Sequence, residues 1–275
     1  MNHASLFSGI GGFDLAAEWM GWNNIFQVEI DPFCTKVLEK NFPHVKKYAD
    51  IKNFTAADYL GRVDILTGGF PCQPFSHAGE RRGSEDDRHL WPEMFRVIKA
   101  IKPSWIIAEN VPGLLTIEQG VVINQVLIEL ESEGYSNYID RKGRPRIAPF
   151  IIPACAVNAF HRRDRIWIVA HSNSNGKSTI PLDENERQRE LVENDANAYS
   201  SNVERSKSKQ ESYGISTRTM AVPELWESRK SLLPKTVLCR SDDGIPSRVD
   251  RTKTLGNAIV PQVAYQIFKS LPLNQ

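Results

Sequence analysis

The first 120 residues alternate between short apolar runs and segments of helical spacing, and that alternation leaves few architectures open to the chain. Leu6 to Phe7 closes a first expected strand, Phe13 to Met20 carries helical spacing, and Ile25 to Ile30 is apolar and β-branched enough for a second strand. Asp31-Pro32 then starts a helix, with Asp as N-cap and Pro at the first helical position. Val63 to Leu66 and Trp105 to Ala108 supply two more strands, the helix from Trp91 to Ile101 fits between them, and Ile166 to Ala170 adds a later strand. Repeated βα units predict an α/β fold, with a mostly parallel sheet and helices on both faces.

Two turns of this scaffold carry chemistry. Phe7-Ser8-Gly9-Ile10-Gly11-Gly12 sits at the first strand-to-helix turn, where missing side chains let a ligand approach the backbone and the helix N-terminus. Glu29 ends the second strand about 20 residues later, the place where an acid holds ribose hydroxyls in dinucleotide folds. Asp50 follows the third expected strand, within reach of an adenine amino group. Together they suggest an adenosine-containing cofactor at the carboxyl ends of the strands. The run Gly9-Ile10-Gly11-Gly12-Phe13 departs from GxGxxG, which makes a nicotinamide dinucleotide the poorer expectation.

The second turn is Pro71-Cys72-Gln73-Pro74, preceded by Thr67-Gly68-Gly69-Phe70 and followed by Phe75-Ser76-His77-Ala78-Gly79. The Gly pair lets the backbone turn at the strand end, and the two prolines stiffen the loop around the thiol. A lone cysteine is more often a small buried hydrophobe, but this setting is that of a mounted nucleophile. A free thiol of pKa about 8.5 is only slightly ionised at neutral pH, so it needs activation or a very good electrophile.

With 275 residues, 41% of them hydrophobic, the chain can bury a core as one large domain or one domain plus a small lobe. There is no long apolar run of membrane-spanning length and no signal-peptide pattern at Met1-Asn2-His3-Ala4-Ser5, so a cytoplasmic protein is expected. Cys34, Cys72, Cys155 and Cys239 lie far apart, which makes a disulfide framework or a metal site unexpected. The net charge of +1 implies no polyanion partner by itself. Local clustering exists in Arg141, Lys142, Arg144, Arg146, Arg162, Arg163 and Arg165, opposed within that stretch only by Asp164. From His171 to Met220 only 11 of 50 residues are apolar, too few to bury a core. That segment is either an insertion with a task of its own or a linker.

The ordered set Phe7-Ser8-Gly9-Ile10-Gly11-Gly12, Gly69 to Ser76, Glu109-Asn110-Val111, Arg163-Asp164-Arg165 and Gly256-Asn257-Ala258-Ile259-Val260-Pro261 resembles the motifs of the DNA cytosine-5 methyltransferases of bacterial or phage type. The resemblance covers residues 3 to 170 and 245 to 270. It implies a Rossmann-like S-adenosylmethionine-dependent methyltransferase sheet with a small target-recognition lobe. Its divisions are a catalytic and cofactor-binding domain over 1–170, a polar, partly flexible recognition region over 171–244, and a C-terminal segment, 245–275, that returns to the catalytic domain. It also implies that Phe7, Gly9, Gly11 and Gly12 line S-adenosylmethionine, Glu29 holds its ribose, and Asp50 with Ile51 its adenine. Ile30 and Pro71 complete the cofactor-binding set. Cys72 is then the nucleophile and Glu109 the acid on the cytosine ring, while Arg163 and Arg165 hold the base and the closed loop, and Asn257 braces the cofactor side. Three positions depart from the family's habits: Ser5 stands where an acid often opens the first motif, His161 for a glutamine, and Ala170 for a glycine.

These residue types suit the chemistry. Cytosine C5 is a poor nucleophile until a thiolate adds at C6. A carboxyl at N3 and the exocyclic amine, with an arginine near O2, disperses the charge that results. No side chain declares itself as the base that removes the C5 proton. The target must leave the duplex, and Glu80 to His89, with Gly79 and Gly83 as hinges, is a polar stretch suited to close over it. The expected partner is double-stranded DNA, with a monomer as the default. Two other functions fit parts of the pattern. A tRNA-directed branch shares these motifs but usually carries Cys-Phe-Thr, which does not occur here. A catalytically silent cofactor- or DNA-binding protein is the other, against which intact Cys72, Glu109 and Arg165 argue.

Overall fold

The computed structural model describes residues 1–71, 90–141, 143–172 and 254–273. Cys72, the Glu80 to His89 stretch and the expected recognition region from 173 onward lie outside the described residues.

One sheet organises what is described. Its strands are β1 (Asn2–Leu6), β2 (Asn23–Val28), β3 (Lys46–Tyr48), β4 (Ile65–Gly68), β5 (Trp105–Asn110) and β6 (Tyr135–Ser136). The short hairpin of β7 (Tyr138–Ile139) and β8 (Pro145–Arg146) precedes β9 (Phe150–Pro153) and β10 (Asp164–Ser172). The spatial order is β3-β2-β1-β4-β5-β10-β6, with β9 also paired to β10. Strands β1 to β5 pair in parallel, as the βα alternation predicts. β10 is antiparallel to β5, β6 and β9, because short β elements rather than a crossover helix lead into it. It also extends beyond the expected Ile166 to Ala170 at both ends. This is the mostly parallel mixed sheet of a Rossmann-like methyltransferase.

The local signals placed the helices well. α1 covers Gly12–Trp19, and α2 covers Pro32–Asn41, with Asp31 accepting the Phe33 and Cys34 amides at 2.8 and 3.2 Å as its N-cap. α3 is Trp91–Ile101, as expected, while α4, Val121–Ser132, falls outside the elements expected from sequence. Pro261–Ser270 forms a further helix, α5, beyond the elements expected from sequence. Neighbouring residues of one strand face opposite cores, the period-2 rule at work. Leu66 and Ile106 join Met94, Ile98, Val126 and Leu130 beneath α3 and α4. Ile65 and Ile107 join Phe13, Ala16, Trp167, Ala264 and Phe268 beneath α1 and α5. There the Phe13 ring meets Trp167 edge-on at 5.9 Å and stacks on Phe268 at 6.4 Å.

The C-terminal segment therefore packs against the first helix. Its lead-in comes so close that a Cβ added at Gly12 would lie 2.8 Å from both the Cβ and the carbonyl oxygen of Ile259. Gly12→Ala must displace backbone here, so thermal denaturation is expected to show a loss of about 1–3 kcal/mol, the usual cost of overpacking.

Candidate active site

β1 has β2 on one side and β4 on the other, so the direction of chain progression reverses at β1/β4. A crevice opens at such a switch point, outside the carboxyl ends of the strands. The glycine turn leaves β1 there, and Gly69-Phe70-Pro71 leaves β4 beside it.

On the first side of the crevice, Glu29 accepts the Gly9 amide on Oε2 at 2.6 Å and the Asp31 amide on Oε1 at 2.8 Å. Burial pushes its carboxyl pKa up, and the two amides work against that shift. The three glycines have different tasks. Gly9, at φ +56°, has nothing within 4 Å of where a Cβ would stand, so open space lies before it. A Cβ at Gly11 would collide with the Phe42 ring, and one at Gly12 with Ile259, so these two admit protein neighbours. Past Glu29 the Ile30 side chain is 68% exposed. Asp50 caps the turn Ile51–Asn53, accepting from the Lys52 amide at 2.9 Å and from Asn53 Nδ2 at 3.1 Å. The Ile51 side chain is in the core, and its carbonyl accepts from Arg96 Nη2 at 2.6 Å, while Arg96 Nη1 reaches the Phe54 carbonyl at 3.1 Å. Arg96, on α3, thus holds the stretch after Asp50 and was not singled out from sequence. Its signal is only an arginine on a helix face, which sequence does not separate from solvated charge.

Glu29 keeps acceptor capacity beside open backbone, and Ile30 offers an apolar face. This donor and acceptor set fits an adenosine with free ribose hydroxyls.

The second side is built on β5 and β10. Glu109 lies opposite Trp167 in the antiparallel register, and Arg165 shares that face two residues away along β10. Arg165 Nε meets Glu109 Oε1 at 2.8 Å, with the side chains only 19% and 11% exposed. A Cβ at Gly69 would stand 3.3 Å from Glu109 Oε2, so the missing side chain gives that oxygen its place. Burial pushes the Glu109 pKa up to about 7, against the pull of Arg165 and Arg163. With Arg165 on Oε1, a proton taken up by this carboxyl would sit on Oε2, beside Gly69.

Asn110 faces the other way. Its Nδ2 donates to the Phe70 carbonyl at 2.9 Å, and its Oδ1 accepts the Val111 amide at 2.8 Å. The Leu90 amide reaches the Pro71 carbonyl at 3.4 Å, so the two ends of the Cys72 segment meet at its root. Pro71 itself is exposed.

The two arginines grouped by sequence divide their work. Arg163, in left-handed backbone at φ +42°, donates through Nη2 to the carbonyls of Gly256 and Ala258, both at 2.7 Å. It clasps the residues on either side of exposed Asn257. Phe7, in the turn after β1, also has a left-handed φ of +52°.

The basic cluster is less basic in space than in sequence. Arg144 pairs with Asp140 at 2.7 Å, and Arg146 with Glu131 at 3.2 Å and Asp140 at 3.6 Å. Arg162 pairs with Asp164 at 2.9 Å, and His161 is exposed beside it. Among the described residues no group of His, Cys, Asp and Glu is placed to hold a metal ion, and no helix is long and apolar enough to cross a membrane.

Comparison with known proteins gives the family. The family model described as C-5 cytosine-specific DNA methylase matches residues 1–237. Type II methyltransferase M.MspI of Moraxella sp is 30% identical over 253 residues, 90% of this chain and 51% of that protein. Type II methyltransferase M.NgoBI of Neisseria gonorrhoeae is 32% identical over 223 residues, 80% of this chain and 67% of that protein. Among solved structures, a prophage-encoded E. coli protein assigned as a DNA modification methyltransferase aligns with TM-score 0.52 and 26% identity, over 63% of this chain and 47% of that one. This chain belongs to the C-5 cytosine-specific DNA methylase family. It spans about half the length of M.MspI and a smaller share of several other curated relatives.

Proposed function

We propose that this chain is an S-adenosylmethionine-dependent DNA cytosine-5 methyltransferase that works through a covalent bond between Cys72 and C6 of a flipped cytosine. The observation that carries this reading is the Glu109 carboxyl, buried, raised to about 7 and held between Gly69 and Arg165 at the root of the Cys72 segment. S-adenosylmethionine, when bound, supplies an electrophilic methyl group. Glu29 and the open backbone at Gly9 would hold its ribose side, with Ile30 and Asp50 toward the adenine.

The Cys72 thiolate forms the Sγ–C6 bond, and the ring electrons move toward C5 and N3. Protonated Glu109 donates from Oε2 to N3, and Arg165 keeps its carboxyl oriented while adding positive field. C5 would then take the methyl group that the bound cofactor supplies, the S–CH3 bonding pair staying with the cofactor's sulfur. When the C5 proton next leaves to solvent, its C–H pair re-forms the C5–C6 double bond, the Sγ–C6 pair stays on sulfur as the released thiolate, and the N3 proton returns to Glu109. Arg163 holds the Gly256–Ala258 segment, and with it Asn257, against the site. Double-stranded DNA as partner, a monomeric working unit and a cytoplasmic setting belong to the same proposal, as do the divisions 1–170, 171–244 and 245–275.

The test is transfer of labelled methyl to mixed duplex DNA and, in parallel, to tRNA, with bisulfite sequencing of the DNA. Label at C5 of cytosine in one short DNA context is expected. Label on tRNA alone, or on neither, overturns the reading.

A further inference from the structure

Asp14 is fully buried in the first turn of α1, and no step above uses it. A carboxylate without partners is costly to bury, so what it holds identifies its task. Ser5 Oγ lies 2.9 and 3.0 Å from its two oxygens and 2.7 Å from Ser8 Oγ. A serine has one hydroxyl proton. With the Ser5 proton on the Asp14 carboxylate, only Ser8 can donate across the 2.7 Å contact, which is shorter than its approaches to the Ser5 and Val28 carbonyls at 3.2 and 3.3 Å, so the relay runs from Ser8 through Ser5 to Asp14.

Ser8 occupies a sensitive place. Its amide donates to the Val28 carbonyl at 3.1 Å, and its neighbours Phe7 and Gly9 are both left-handed, at φ +52° and +56°. Left-handed backbone costs a residue such as Phe about 1–2 kcal/mol, and it persists only where the surroundings over-determine it. The next amide, Gly9, is the one that meets Glu29 at 2.6 Å. The Asp14 carbonyl is itself held by Asn24 Nδ2 at 3.0 Å, which fixes the start of α1 relative to β2.

We infer that Asp14 is a positioning residue for the cofactor: through Ser5 and Ser8 it holds the strained Phe7–Gly9 turn in the shape that presents Gly9 and Glu29, supplying from the helix a carboxylate that strand position 5 lacks. Ser5, a departure when read alone, is then half of a pair with Asp14. The inference rests on the cofactor site proposed above.

The experiment measures calorimetric binding of S-adenosylhomocysteine to the full chain, to Asp14→Asn and to Ser8→Ala, together with KM for S-adenosylmethionine, kcat and melting temperature. Asp14→Asn is expected to weaken binding about tenfold, the scale of one charge-assisted hydrogen bond, and to raise KM with kcat little changed. Ser8→Ala shifts in the same direction, and the double variant is no worse than Asp14→Asn alone, since both cut one relay. A lowered melting temperature with wild-type affinity and KM in the folded variants would mean a purely structural role and overturns the inference. Should Asp14→Asn not fold, Ser8→Ala decides the matter by the same readouts. Wild-type protein that fails to bind S-adenosylhomocysteine would instead remove the cofactor site itself.

Discussion

Cys72→Ser is expected to lower methyl transfer to DNA by on the order of 10⁴-fold or more, the scale seen when a covalent nucleophile is removed. A serine hydroxyl at this position is far weaker than a thiolate toward C6, because its alkoxide is scarcely populated at neutral pH. The root of the segment does not depend on the sulfur: Asn110 holds the Phe70 carbonyl and Leu90 the Pro71 carbonyl. Cofactor binding and melting temperature should therefore stay near wild type. A second readout is trapping on duplex DNA with fluorine at the target C5. That ring cannot lose a C5 proton, so wild type should remain attached under denaturing conditions and Cys72→Ser should not. Undiminished turnover by the serine variant would defeat the covalent route.

Glu109→Gln is expected to lower kcat by about 10²–10⁴-fold, the contribution of a positioned general acid. The pH profile separates this from a loss of shape. Protonated Glu109 is abundant below about 7 and declines above it, whereas the Cys72 thiolate rises with pH. Wild-type kcat/KM should pass through a maximum, and the glutamine variant should keep only the rising limb. Stability moves the other way from activity. The folded carboxyl holds its proton up to about 7, well above an ordinary glutamate, so the native state binds more proton between the two values and wild-type stability falls as pH rises through that window. Glu109→Gln removes this decline and should melt no lower than wild type at pH 8. A variant that loses both activity and melting temperature at that pH would show that Glu109 serves the fold rather than the ring.

Much of the frame was legible in short stretches. Asp31-Pro32 announced the start of α2, the α3 limits at Trp91 and Ile101 were as expected, and the β1 turn with Glu29 at the end of β2 fell where the spacing put them. Glu109 and Arg165 were named as site residues from their motifs, and they meet at 2.8 Å. Other features were beyond any window. Of the basic cluster, Arg144 has a partner only four residues away in Asp140, but Arg146 is also paired because Glu131 arrives from α4. Ser5 reads as a missing acid until α1 places Asp14 on it.

The physical division is one of range. Caps, apolar period, glycine turns and the stiffness of Pro71-Cys72-Gln73-Pro74 are set by neighbours in the chain, and the sequence alone determined them together with the order of the family's motifs. Which arginine faces Glu109 and which clasps Gly256 and Ala258, which glycine opens to a ligand and which makes room for Ile259, and which way β10 runs were decided only by the tertiary structure. Those outcomes depend on atoms that packing brings together across separations as large as that between Gly12 and Ile259, and only the folded arrangement of both cores determines that approach.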